Sequence, residues 1–347
     1  MPKLIIGFES SLFLLGNDGP KTFMRRLKEA IRRQGLARVR SAWLPAYDIG
    51  LFKSSRKSLF SRPFVLRVDG IYYDLKETLG GNEALNAPIF ESIERAGGVV
   101  FISDFSRQLI FRFYGELKKP WTVIHNAVDL RAFRPEGPNY REALHIRPEE
   151  RVLVTAAHWR AWKRLRDIVD LFHRMEQERE EPLRLLILGR RPDVTVEHER
   201  IHFIGEIRPS HLAAWYRTGD LYLHLAWLEA CGNTQVEAMA CGLPVLCTNL
   251  GGIGETVRKA DGGIVSQADE PFDLNLVDLY NPPRPDPEVL ASDLHRLLDD
   301  LDGFKGRIRF HELSVDRAAE EYCTFLGQVV ESIDRKRRMS KRRGRLA

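Results

Sequence analysis

Residues 221–257 read LYLHLAWLEACGNTQVEAMACGLPVLCTNLGGIGETV, and the order of apolar runs and glycines in this stretch decides what the rest of the chain can be. Leu221–Ala226 is an apolar run that predicts a buried strand, Ala230–Asn233 is a small-residue turn, and a helix begins around Thr234. Gly242 and Pro244 stop that helix, Val245–Thr248 predicts the next strand, and Gly251-Gly252 turns the chain into helix again at Glu255. Strand, glycine turn and helix, twice over, is the pattern of a parallel sheet whose strand ends present helix N-termini to a ligand. Two glutamates, Glu229 and Glu237, bracket the first turn.

Taken together, Glu229, Gly232, Glu237-Ala238-Met239-Ala240, Gly242, Pro244-Val245, Gly251-Gly252 and Glu255 resemble the family 4 glycosyltransferases, the retaining group that includes glycogen-synthase-like and mannosyltransferase-like enzymes. Ala230 departs from the glycine that the family usually has after the first glutamate, so the backbone path beside the donor sugar is expected to differ there. Read without the resemblance, Thr234-Gln235-Val236-Glu237 is also a capping box, with Thr234 accepting from the Glu237 amide and the Glu237 carboxylate accepting from the Thr234 amide. Helix capping alone requires neither a second glutamate eight residues earlier nor the downstream Gly-Gly-x-x-Glu turn.

The chain has 347 residues, which suits about two domains. Its 44% apolar and 29% charged residues mark a soluble globular protein. No apolar run approaches the ~20 residues that span a bilayer, and Met1-Pro2-Lys3 leads straight into a strand rather than a signal peptide. The expected compartment is therefore cytoplasmic. Cys231, Cys241, Cys247 and Cys323 lack Cys-x-x-Cys spacing and are expected to be reduced, packed thiols.

Formal net charge is +5, unevenly placed. Of the 53 basic residues eight lie beyond Asp334, so residues 1–334 carry 45 basic against 48 acidic residues, a net −3. The end, RKRRMSKRRGRLA, is expected to be a disordered tail that either only solubilises the chain or makes peripheral contact with an anionic membrane at its inner face. Such a run could also touch nucleic acid nonspecifically, but nucleic acid is not the expected partner.

Upstream, Lys3–Phe8 predicts a first strand and Thr22–Gln34 a helix, with a loop containing Asp18, Gly19 and Pro20 between them. Ser41–Leu44 and Phe64–Val68 are the next expected strands, the second ending in Asp69-Gly70, where a carboxylate at a parallel strand's C-terminal end faces the ligand crevice or simply makes a turn. Asn86–Ala96 (helix), Gly98–Ile102 (strand), Asp104–Tyr114 (helix) and Trp121–His125 (strand) complete the first half. Pro135–Pro148 has no clear periodicity and reads as a linker. Arg151–Ala156 opens a second strand series, followed by a basic loop His158–Arg164 and a helix Leu165–Glu178. Strands at Leu183–Leu188 and Ile201–Ile204 and helices near Ser210–Arg217, Pro287–Leu301 and Val315–Ile333 are expected beyond it.

The resemblance implies an α/β fold of GT-B type, two Rossmann-like domains with parallel sheets facing across a cleft. It divides the chain into an acceptor domain (1–134), a linker (135–150), a nucleotide-sugar domain (151–313), a helix packing back on the first domain (314–334) and the basic tail (335–347). It implies a retaining hexosyltransferase that takes a nucleotide sugar, a UDP- or GDP-sugar foremost, as substrate and needs no cofactor or metal. The acceptor is a carbohydrate, a lipid-linked sugar or a small molecule. Glu229 would hold the donor hexose, Glu237 the ribose hydroxyls, and the amides of Gly232, Asn233 and Thr234 the sugar and phosphate. Lys163 fits the family's diphosphate-neutralising lysine; His158 falls in the arginine slot, with Arg160 nearby as substitute. Gly19 would let the chain approach the phosphates, and Asp69 would stand near the reacting sugar. Two other readings stay open: a nucleotide-sugar isomerase of 2-epimerase type on the same fold, and a non-catalytic binding protein.

Overall fold

The computed structural model describes residues 3–9, 19–43, 46–54, 62–75, 81–190, 194 and 196–343. The chain forms two compact units, one made of Met1–Asn126 with Val315–Ala347 and the other of Ala127–Ser314.

The first unit contains β1 (Ile5–Phe8), α1 (Gly19–Gln34), β2 (Arg38–Ser41), β3 (Ile49–Lys53), β4 (Phe64–Val68), α2 (Gly81–Arg95), β5 (Gly98–Phe101), α3 (Asp104–Phe113) and β6 (Trp121–Val123), closed by α10 (Val315–Arg343). Its six strands lie in the order β2-β1-β3-β4-β5-β6, all parallel. Central strands buried on both faces read as apolar runs, as Gly98–Phe101 does, and Phe64–Val68 is fully buried with Arg67 its one charged residue. The edge strand β2 alternates between exposed and half-buried residues. That polarity is why the expected strand at Ser41–Leu44 is displaced: pairing runs over Arg38–Ser41, and the apolar Trp43 beyond it is exposed. Leu44 lies outside the described residues. Strand β3 has no counterpart in the sequence reading, because Gly50 interrupts its short apolar run; in the fold the Phe52 ring fills the space where a side chain at Gly50 would stand.

The second unit contains β7 (Arg151–Ala156), α4 (Leu165–Glu178), β8 (Leu183–Leu188), β9 (Ile201–Gly205), α5 (Pro209–Thr218), β10 (Leu221–His224), α6 (Thr234–Ala240), β11 (Val245–Thr248), α7 (Ile253–Ala260), β12 (Gly263–Ser266), α8 (Pro287–Asp299) and α9 (Leu301–Arg307). Strand order is β12-β11-β10-β7-β8-β9, again all parallel. The chain winds outward from β7 on one side and from β10 on the other, so the order reverses between these two strands. In doubly wound sheets that reversal opens a crevice at the strands' C-terminal ends. Strand β12 was hidden in the sequence by Gly262-Gly263, which reads as a turn. Gly263 is needed because its backbone, at φ 146, runs so close to Val245 of β11 that a Cβ would overlap the Val245 carbonyl.

Two expected segments differ from the fold. Residues 135–150 pack into the second unit: Ile146 is buried in its core, Tyr140 N–H donates to Thr218 Oγ1 (2.9 Å), and Arg141 pairs with Asp220 (3.1 Å) and donates to the Glu150 carbonyl (2.8 Å). The expected disordered tail is helical through Arg343, since Lys, Arg, Met and Ser carry α10 onward and the first strong breaker is Gly344. No helix among the described residues is long and apolar enough to cross a membrane.

Candidate functional site

The loops that follow β7 and β10 flank the strand-order reversal, and both are held by buried polar contacts. After β7 a 3-10 turn, Ala161–Lys163, meets α4 at Arg164, which takes the left-handed conformation (φ 52). Arg164 is fully buried. Its guanidinium donates to both Asp269 carboxylate oxygens (3.0 and 2.7 Å) and to the Pro283 carbonyl (2.5 Å). A two-bond pair of this kind fixes direction as well as position, and it anchors the loop directly beside Lys163. Trp227 N–H then donates to the Trp162 carbonyl (2.7 Å), joining the two loops.

Glu229 is aimed by its backbone. Leu228 before it has φ 56, an uncommon conformation for a residue with a branched side chain. The Glu229 carbonyl accepts from Gly252 N–H at 2.8 Å, and at Gly251 (φ 77) the chain passes so close that a Cβ would overlap the Glu229 backbone. The downstream Gly-Gly turn therefore acts as a clamp on the first glutamate. The carboxylate so placed forms an ion pair with Lys163 and accepts from His224 Nε2 (2.8 Å). Burial alone would raise the Glu229 carboxyl; the Lys163 ammonium and the His224 contact outweigh it and hold the group well below the usual carboxylate range.

Glu237 sits in the first turn of α6, is 4% exposed, and accepts from Tyr216 OH at 3.2 Å. Burial, with Glu237 next to it, pushes the Tyr216 phenol up. The capping box is not formed. Asn233 is the N-cap without a side-chain cap bond, and Thr234 is the first helical residue. The Tyr222 phenol donates to the Ala156 carbonyl (2.9 Å) and accepts from Ala156 N–H (3.1 Å). Tyr222 thereby ties β10 to the end of β7, next to the Lys163 loop.

Of the expected residues, the fold brings Lys163 and Glu229 together and sets Gly232, Asn233, Thr234 and Glu237 at the start of α6. His158 and Arg160 are exposed, and Arg160 lies over the Trp162 ring at 5.1 Å. In the first unit, Asp69 follows β4, pairs with the fully buried Arg67 and accepts from Ser54 Oγ (3.0 Å), while Arg67 also donates to Asn126 Oδ1 (2.6 Å). Gly19 opens α1; Asp18 and the rest of its loop lie outside the described residues. His224 and Arg164 were missed by sequence reasoning. A single histidine ending an apolar strand was the one signal for His224, and Arg164 was hidden in a run of basic residues. None of the four cysteines is in a disulfide, and burial pushes Cys241 and Cys247 up to about 12 and Cys323 up to about 11.

Residues 149–300 match the sequence profile of the family described as "Glycosyl transferases group 1". The chain is 28% identical over 202 residues to the N-acetyl-alpha-D-glucosaminyl L-malate synthase of Bacillus anthracis, which covers 54% of this chain and 51% of that protein. The chain thus spans about half the length of that relative. In fold it is similar to sucrose-phosphate synthase from Thermosynechococcus elongatus, at a TM-score of 0.65 and 16% identity, covering 97% of this chain and 99% of the other. A similar likeness holds for Anabaena Alr3699/HepE, solved in complex with UDP and glucose, at a TM-score of 0.57 and 14% identity, over 96% and 99% of the two chains. With two six-stranded parallel sheets and these fold likenesses, the chain has the GT-B fold, and residues 149–300 of its second unit match the glycosyl transferases group 1 profile.

Proposed function

We propose that this protein is a glycosyltransferase that moves a sugar from a nucleotide-diphosphate donor to a carbohydrate, lipid-linked or small-molecule acceptor with retention of anomeric configuration. The observation that carries the reading is the Lys163–Glu229–His224 cluster at the strand-order reversal of the second unit. Breaking a glycosidic C–O bond leaves added negative charge on the departing diphosphate. A lysine ammonium and helix N-termini stabilise that charge where it develops. In the free protein Lys163 and Glu229 neutralise each other. Donor entry exchanges partners: the ammonium turns to phosphate, and the carboxylate, an acceptor with several lone pairs, turns to sugar hydroxyls. His224 stays on Glu229 Oε2 and keeps the carboxylate oriented through the exchange. In this reading Glu237 takes the ribose hydroxyls, the amides of Gly232–Thr234 orient sugar and phosphate, and the leaving phosphate serves as base for attack on the same face. No divalent ion is needed, so turnover is expected to be indifferent to added magnesium or manganese.

Thermal-shift measurement against UDP, GDP, ADP and TDP sugars tests the donor. A ligand at 100 times its dissociation constant adds ~2.7 kcal/mol of stability. The donor found is then titrated calorimetrically into Glu237→Gln, where loss of charge-assisted bonds worth roughly 1.5 to 3 kcal/mol should weaken binding about tenfold or more. A flat panel, or unchanged affinity in that variant, would sink the site assignment. Donor turnover to an isomer with no acceptor present would move the chain to the isomerase class.

A further inference from the structure

A second cluster lies in the same unit but away from the loops just described. Helix α4 carries His173 and Glu176 three residues apart, hence on one face, and the segment entering β9 brings His198 against them. One ligand atom from each of the three lies within 4.8 Å of the others. His198 Nε2 is 3.1 Å from Glu176 Oε2, the two imidazole centroids are 5.0 Å apart, and the Phe172 ring meets both edge-on at 6.0 and 5.9 Å. All three ligand residues are half-buried. His173 is eight residues along α4 from Leu165, about 12 Å at 1.5 Å per residue. His198 precedes the start of β9. The cluster thus sits at the N-terminal edge of the parallel sheet, the end opposite Lys163 and Glu229.

We propose that His173, Glu176 and His198 form a site for a divalent cation of borderline softness, Zn²⁺ foremost. Two imidazoles and one carboxylate are a zinc-type donor set, whereas magnesium and calcium require a shell of oxygens. Bonds of ~2.0 Å in a tetrahedral arrangement place ligand atoms roughly 3.3 Å apart. The His198–Glu176 pair already stands at that spacing, and the remaining separations close by side-chain rotation. Coordination through His198 Nε2 puts the ring proton on Nδ1, which gives up the long 3.3 Å contact it accepts from Arg200 N–H. The Arg200 guanidinium, 3.8 Å from Glu176 Oε1, engages the other carboxylate oxygen and orients it, as outer partners of metal ligands do. Its charge also opposes the cation, so micromolar rather than tighter affinity is expected. The bound ion would staple the C-terminal half of α4 to the segment entering β9 and leaves a fourth position open. This inference does not depend on the sugar-transfer reading.

The test titrates zinc into the chelator-treated full chain against a chromophoric zinc indicator. One equivalent should bind with micromolar affinity, and His173→Ala, His198→Ala and Glu176→Gln should each weaken it at least tenfold. Cys231→Ser with Cys323→Ser should leave it within twofold, which separates this site from the partly exposed thiols. Zinc should raise the melting temperature of the parent but not of the triple variant, and magnesium should do neither. Glu176→Gln preserves shape, so it carries the test should a histidine variant misfold. Absence of bound zinc at 100 times the indicator concentration, or unchanged affinity in the three ligand variants, overturns the proposal.

Discussion

Gly251 shows how a residue remote in sequence sets the geometry of a charged group. Its positive φ and its closeness to the Glu229 backbone exclude any side chain. Gly251→Ala is therefore expected to cost about 2 kcal/mol or more and to lower donor turnover further than that loss of stability explains, because the Glu229 loop must shift. Urea midpoints and turnover measured together check this; a variant that is destabilised but fully active would show that the clamp is structural only. The spacing Glu229…Glu237 and the Gly-Gly turn were legible in sequence as a motif. Their mutual contact was not, because it joins residues more than twenty positions apart, and nothing local to Gly251 says what it packs against. His224 escaped for a similar reason: a strand-end histidine gains its meaning only when the following loop doubles back to place Glu229 on its Nε2.

Lys163 gives the residue scale its pH signature. The folded Glu229 carboxyl is depressed, so its contribution to stability is fully present above its unfolded value, near 4.3, and is lost only as pH falls through the lower folded value. In Lys163→Ala the chief depressing charge is gone while burial still acts to raise the group. The gap in stability between parent and variant should then be largest at pH 7 and shrink as the pH is lowered from 5 toward 2. Urea denaturation at pH 7, 4 and 3 measures it, and a gap independent of pH would contradict the pairing. Turnover in the same variant should fall by ~10² from lost stabilisation of the leaving group.

At the scale of elements, helices and buried strands with strong periodicity were read closely: α4, β8 and β11 coincide with their expected bounds. Short strands interrupted by glycine, β3 and β12, were not, because a glycine that admits a neighbouring chain looks in sequence like one that makes a turn. Helix α10 was underestimated for a different reason. Basic residues read as a solvated tail, yet they are good helix formers once the preceding turns are held by Tyr322, Leu326 and Val329 in the core. Its last turns are exposed at Arg335–Ser340, so deleting residues 335–347 should leave the melting temperature within about 1 °C. If the basic end binds an anionic surface, the same deletion should abolish salt-sensitive binding to phosphatidylserine vesicles while turnover of a soluble acceptor is unchanged. Equal vesicle binding with and without these residues removes the membrane reading.

At the scale of the whole chain, the second unit is an insertion within the first. Its two ends meet: Val128 and Ser314 form a parallel bridge, and Val128 N–H donates to the Leu313 carbonyl at 2.9 Å. The unit has its own sheet and its own core clusters, which include Ile146 from the segment that sequence alone assigned to a linker, and Val128 and Phe133 just before it. That segment lacks periodicity because it is held by single contacts to the end of α5 and to Asp220 just before β10, such as Tyr140 to Thr218 and Arg141 to Asp220, rather than by a repeating face. A piece with adjacent ends and an independent core should fold when excised. Residues 127–314 expressed alone are therefore expected to melt cooperatively and to bind the nucleotide donor within about tenfold of the full chain, since Lys163, Glu229 and Glu237 all lie inside them, while transferring no sugar. Starting the fragment at residue 151 instead should expose Tyr216, Leu243 and their neighbours and yield an unstable product. Should the 151–314 fragment prove as stable as 127–314, residues 135–150 would be a linker after all, and the division of the chain at Asn126 would be wrong.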